Sequence, residues 1–233
     1  VIGAKASREC PCARHLSSFA VVFVSPSARA TGDFQVPSMP SRLLLPALVA
    51  LLAVTALGGC GGGSAPLTFD LAALPVSGRS VAAARSIVVA EPVGIQPLEA
   101  DRIIVREPGG GLSFLGGGQW ADRLPRLIQT RIIQSLENTG RLRSVSRPGD
   151  KIVSDYQLIS EIRAFDIAAG SGEAVVDISA KLIAEGTGRV VAARVFQARV
   201  PVQKVDAPNA AAGLDAALAN VLGEIVRWAN SGR

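Results

Sequence analysis

The chain has 233 residues, with 24 Lys and Arg against 19 Asp and Glu, 3 Cys, 1 Met and 1 His. Lys5, Arg8, Arg14, Arg29 and Arg42, set against Glu9 and Asp33, put +3 of the formal +5 into residues 1–59, so only +2 belongs to the rest. That near-balance argues against nucleic-acid binding, which needs basic residues massed on one face; and because His15, Cys10 and Cys12 all precede Cys60, residues 61–233 offer no usual zinc site or other cofactor-ligating set, no Ser-His-Asp triad, no Cys-His dyad and no disulfide.

Met39 is the single methionine, and residues 1–38 are read as an over-called extension ahead of the true start. Residues 39–59 read as a lipoprotein signal peptide: a basic n-region ending at Arg42, an apolar run from Leu43 to Leu57, then small residues before Cys60. Leu57-Gly58-Gly59-Cys60 resembles the lipobox, departing from it only in Gly58, where Ala or Ser is commoner. Small side chains let the extended backbone enter a peptidase cleft, and the Cys60 thiol takes a thioether-linked diacylglycerol before cleavage frees its amine for a third, palmitate-like chain. A membrane-spanning helix is the other reading, but the run is shorter than the roughly 20 apolar residues a span needs and contains Pro46. At about 0.8 kcal/mol per buried methylene, two or more acyl chains hold a protein on a bilayer far better than one.

Residues 60–66 are expected to be a flexible linker rich in glycine, and residues 67–233 one domain. Leu67 to Leu71 has strand-like content. Ser86 to Ala90 and Arg102 to Arg106 are short β-branched runs of the length of buried strands, the first ended by Pro92. The triplets Gly109–Gly111 and Gly116–Gly118 suggest a phosphate cradle, yet Gln119 and Trp120 stand where a P-loop needs Lys and Ser or Thr; a mobile hairpin or loop is the expectation.

Trp120, Ala121, Leu124, Leu127, Ile128, Ile132 and Leu136 fall on one side at 100° per residue, predicting a helix with Pro125 in its first turn, Asp122 as its cap and Trp120 plugging the core just outside. Asn138-Thr139-Gly140 supplies the stop. From Tyr156 the period changes to two, and Gly-bearing turns predict an antiparallel meander of 156–167, 174–185 and 189–202. Glu161, Asp166, Glu173, Asp177 and Glu185 are expected on solvated strand faces, not in a catalytic pair. A closing helix opened by Asp206 and Pro208 carries Leu214, Leu218, Val221, Leu222, Ile225 and Trp228 as one apolar stripe. The whole predicts an α+β fold: an antiparallel or mixed sheet with two main helices packed on one face.

The lipobox at Cys60, Phe69-Asp70-Leu71, Ile87 to Pro92, the Arg102 to Arg106 strand and above all Gln119-Trp120-Ala121-Asp122-Arg123-Leu124-Pro125 resemble the ABC-type transport auxiliary lipoproteins, the family that includes the paraquat-inducible C-type lipoproteins. Trp120, Leu124 and Pro125 form its most specific piece, a structural motif and not a catalytic one. The resemblance implies a non-enzymatic adaptor or binding component working beside an ABC permease, its ATPase and an MCE-type substrate-binding subunit in lipid traffic between two membranes. It leaves a homo-oligomer open. Gly61 after the lipidated cysteine, with no Asp there, resembles lipoproteins sorted to the periplasmic face of the outer membrane. A lipoprotein that activates a cell-wall or envelope enzyme is the alternative.

Overall fold

The structure, a computed structural model, describes residues 65–76 and 85–231; the signal peptide, the lipobox and Cys60 lie outside the described residues. In chain order the elements are β1 (Leu67–Phe69), β2 (Ser86–Val89), β3 (Val93–Gly94), a 3-10 turn (Gln96–Glu99), β4 (Arg102–Arg106), β5 (Leu112–Trp120), α1 (Leu124–Glu137), β6 (Ser144–Ser146), β7 (Tyr156–Ala168), β8 (Glu173–Ala184), β9 (Arg189–Pro201) and α2 (Ala207–Ser231). The α+β expectation holds.

Strand β7 is the spine. One of its edges pairs antiparallel with β8 from Tyr156↔Ala184 to Ala168↔Glu173, and β8 pairs in turn with β9. The other edge is shared by three short parallel strands in succession: β2 beside Tyr156–Leu158, β3 beside Glu161 and Ile162, and β4 beside Asp166–Ala168. The sheet therefore forks, continuing through β2 to β6 at one end and through β4 and β5 to β1 at the other. A bulge between Ile162 and Ala164 realigns the spine between the branches, and the buried positions shift from Leu158, Ser160 and Ile162 to Phe165 and Ile167.

Both helices cover the same face. Ala174, Val176, Ile178, Ala180 and Leu182 of β8 meet the α2 stripe of Leu214, Leu218, Val221, Leu222 and Ile225, while Leu127, Ile128, Ile132 and Leu136 of α1 close the β2 branch. Gly213 lets α2 sit close to the sheet, since a Cβ there would stand 2.8 Å from Val202 and 3.2 Å from Ala174. A strap from Asp70 to Val76 follows β1 across the helices, held by Ser135 Oγ accepting from the Leu74 amide at 3.0 Å, Asp215 Oδ1 accepting from Ala72 at 2.7 Å, and Arg131 paired with Asp70.

Three expectations need correction. Asp122 does not cap α1: its Oδ1 accepts the Arg123 amide at 2.8 Å, and the Leu124 amide is satisfied by the Ala100 carbonyl at 3.1 Å, so backbone already takes the role a side-chain cap would fill. Of the hairpin or loop expected around the glycine triplets, the hairpin is present, with Gly109–Gly111 between β4 and β5, but Gly116–Gly118 are not loop. They lie in β5, where four residues from Leu115 to Gly118 bulge opposite Ile103 and Gly118 pairs with Leu67. Asp166 is not solvated: it is 1% exposed, and Arg106 donates to its Oδ2 from Nη2 at 2.6 Å and Nε at 3.1 Å. The bulge at Arg163 sets this carboxylate under the β4 branch, and a buried carboxylate needs such a partner.

Candidate docking surface

Trp120, Leu124 and Pro125 are buried where the β4–β5 branch meets α1. The Trp120 amide donates to the Asp101 carbonyl at 2.7 Å and the Ala121 amide to that of Phe69 at 2.8 Å, while the indole packs edge-on against Phe165 with centroids 5.7 Å apart. The motif thus joins β1, β4, β5, α1 and the spine, and it presents nothing to a ligand. Cys60 and the lipobox residues Leu57, Gly58 and Gly59 are outside the described residues. Among the described residues no three His, Cys, Asp or Glu converge as a metal site, and no helix is long and apolar enough to cross a membrane.

What the fold does expose is strand β9. Among the described residues nothing pairs with its outer edge, which runs for 13 residues. Register places Val190 opposite Ile183, Ala193 opposite Lys181 and Val195 opposite Ser179, all on the face away from the helices. Val190 and Val195 are about half exposed, as is Val191, the residue extruded by a bulge between the Leu182 and Ile183 pairings. Val93 and Ile159 continue this apolar stripe across the fork, where with Glu161, Ser179 and Lys181 they line a shallow cleft of 160 Å³.

An unpaired edge offers amides and carbonyls to any incoming strand, so proteins that leave one open usually guard it with charge. Here the guards are Arg189, Arg194 and Arg199, and two are engaged elsewhere: Arg194 pairs with Glu224 on α2 at 2.9 Å, and Arg199 approaches Glu173 at 3.5 Å. At the N-terminal end of β9, the loop leading into β7 adds Ile152 and Val153, the latter 87% exposed. The Glu185 amide donates to the Asp155 carbonyl at 3.0 Å and holds that loop against the β8–β9 turn. Lys151, in the same loop, is the described non-glycine residue with a positive φ, 56°, a conformation its Cβ disfavours. Nothing in the sequence says which strand lacks a partner, because that depends on long-range pairing.

The described domain has a counterpart in known proteins: the model of the ABC-type transport auxiliary lipoprotein component family matches residues 67–226. The chain belongs to that family. The described sheet and both helices fall almost wholly inside the match. An auxiliary lipoprotein of a transport system works at the cell envelope, held to a membrane by its lipid, and its role is accessory to transport. An uncharacterised protein of Bradyrhizobium diazoefficiens is 32% identical over 174 residues, 72% of this chain and 46% of its own length, so the chain spans about half of that relative. A crystal structure of a Xanthomonas campestris protein superposes with a TM-score of 0.64 at 26% identity, covering 71% of this chain and 95% of that one. A second solved structure, of an uncharacterised protein, shares the fold at a TM-score of 0.56 and 15% identity, over 70% of this chain and 98% of its own.

Proposed function

We propose that this auxiliary lipoprotein, anchored through acylated Cys60 at the periplasmic face of the outer membrane, is a non-enzymatic adaptor in MCE-associated lipid transport between the two membranes. Its partners would be the ABC permease, the ATPase and an MCE-type substrate-binding subunit. The observation that supports an adaptor is the open edge of β9 with its apolar stripe of Val190, Ala193 and Val195. A partner strand laid along β9 gains main-chain hydrogen bonds for affinity and alternate side-chain contacts for specificity, and needs no catalytic group. The described surface offers that mode.

Co-purification from membranes tests the reading. The intact protein is expected to bring down a permease, ATPase or MCE-type subunit, and its deletion to disturb envelope lipid asymmetry. The double variant Val190→Glu, Val195→Glu places charges on the open edge; it is expected to fold normally and lose the partner. Recovery of none of these subunits, together with undisturbed lipid asymmetry, would remove the proposal.

A further inference from the structure

Strand β1 fixes which end of the domain faces its anchor. It runs parallel to β5, Leu67 beside Gly118 and Phe69 beside Trp120, so the chain enters from the side of the β4–β5 hairpin. Arg106↔Leu112 and Arg106↔Ala168 place that hairpin turn level with the β7–β8 turn, and Glu173↔Pro201 adds the end of β9. A Cβ on Gly170 would touch Pro108 at 3.6 Å, so the two turns are neighbours.

Strand rises give the levels. Leu67 lies beside Gly118 and hence within one residue of the Arg102 level, which is four residues from the hairpin end of β4. At about 3.3 Å per residue that is roughly 13 Å. From the same level the spine runs eight residues to Tyr156 at the opposite end, one of them taken up by the bulge at Arg163, which leaves roughly 23 Å. Seven residue steps separate Cys60 from Leu67, and fully extended they span at most about 25 Å. A bilayer holding Cys60 is therefore within easy reach of the hairpin end, whereas to meet the Tyr156 end the segment before Leu67 would have to reverse direction and extend almost fully.

The hairpin end is also built for an interface. Phe114 is 52% exposed, with Leu112 and Val205 less so, and Leu67, farther along the sheet at the Arg102 level, is 56% exposed. The Arg102 guanidinium stands over the Phe114 ring at 5.2 Å, an arrangement that offers an apolar body to acyl chains and a cation to phosphate. We propose that the β4–β5 hairpin rests on the bilayer that holds Cys60, with Leu112 and Phe114 in the headgroup region and Arg102 on lipid phosphate. This rests on the lipid-anchor reading.

The test uses the full, processed chain in vesicles of phosphatidylethanolamine and phosphatidylglycerol. Ser113→Cys and Thr187→Cys, at the hairpin and at the opposite β8–β9 turn, are each labelled with a fluorophore and challenged with spin-labelled lipid quenchers. Quenching is expected to be several-fold stronger at position 113, and to fall when Leu112→Ser and Phe114→Ser are added. Equal quenching at the two positions, with mass spectrometry showing acylated Cys60, overturns the orientation and leaves the anchor standing. An unacylated Cys60 overturns both. Protection of the position 113 label only when extracted membrane proteins are added, and not by lipid, would make the hairpin a protein contact and also overturn the proposal.

Discussion

The hairpin end and the β9 edge both expose large apolar side chains, yet they differ in the length of open backbone beside them and in the charge they carry. At the hairpin, Leu112 and Phe114 stand on a strand paired with β4 on one side, while on the other β1 reaches only Gly118–Trp120, so among the described residues the outer edge of β5 is open over the six residues Leu112 to Gly117. Along β9, Val190 and Val195 stand on a strand whose outer amides and carbonyls are open among the described residues. Exposure alone does not separate them, since Phe114 and Val195 are 52% and 48% exposed. A short open edge with a cation held over an aromatic ring suits the headgroup region of a bilayer. An open edge of 13 residues suits a strand.

That contrast depends on the branch that carries the hairpin staying attached, and the largest effect expected is its loss. Trp120→Ala empties the joint between β1, β4, β5 and α1 at a position 1% exposed. It should cost about 3–5 kcal/mol in denaturant unfolding. Arg106→Ala leaves Asp166 buried without its partner. Because Arg106 is itself partly exposed, the cost should be nearer 1–3 kcal/mol, roughly the desolvation penalty of an unsatisfied group. The double change Arg106→Met, Asp166→Leu should recover most of that loss, which a double-mutant cycle would measure.

Glycine substitutions sharpen the comparison within β5 itself. At Gly118 a Cβ would lie 2.6 Å from that of Ala207 and 2.7 Å from the Phe69 ring, whereas at Gly116 nothing stands within 4 Å. Gly118→Ala should therefore destabilise by roughly 1–3 kcal/mol through forced backbone shifts, and Gly116→Ala by far less. Comparable thermal shifts for the two would mean that β1 and α2 do not clamp β5 as described. At the other end, Lys151→Gly should stabilise by about 1 kcal/mol by relieving the positive φ, and should leave partner binding intact.

The smallest effect concerns the start of α2. The Asn209 amide, then its side chain, donates to Asp206 and lowers the pKa of this carboxyl. A folded-state pKa below the unfolded one gives stability that is present above the unfolded value and is lost as pH falls through the folded one. Asp206→Ala should flatten the stability profile slightly on the acid side and leave neutral-pH partner binding unchanged.

Much of this fold was legible in the chain. The period-two alternation from Tyr156 gave the meander within a residue at most ends, because a strand with one wet face must alternate; the apolar spacing of Leu124 to Leu136 and of Leu214 to Trp228 gave both helices. The short strands β3 and β6, of two and three residues, carry too few positions for any period to show. Parallel pairing of β2, β3 and β4 along one edge of the spine is set by contacts some 60 or more residues apart, as Ile104↔Asp166 illustrates. For the same reason the burial of Asp166 and the confinement of Gly118 were hidden: the first follows from a bulge and the second from the arrival of Ala207. The open edge was not legible, since alternation shows that β9 is a strand and not that its far side is open.

Site-specific photo-crosslinking in native membranes tests the central claim most directly, with a benzophenone carried at position 195 on β9 in one sample and at position 114 on the hairpin in the other. The account predicts a protein adduct from position 195, containing a permease, ATPase or MCE-type subunit, and a lipid adduct from position 114. Lipid captured at 195 and protein at 114, or no adduct from 195 in membranes where the transport subunits are present, would contradict it.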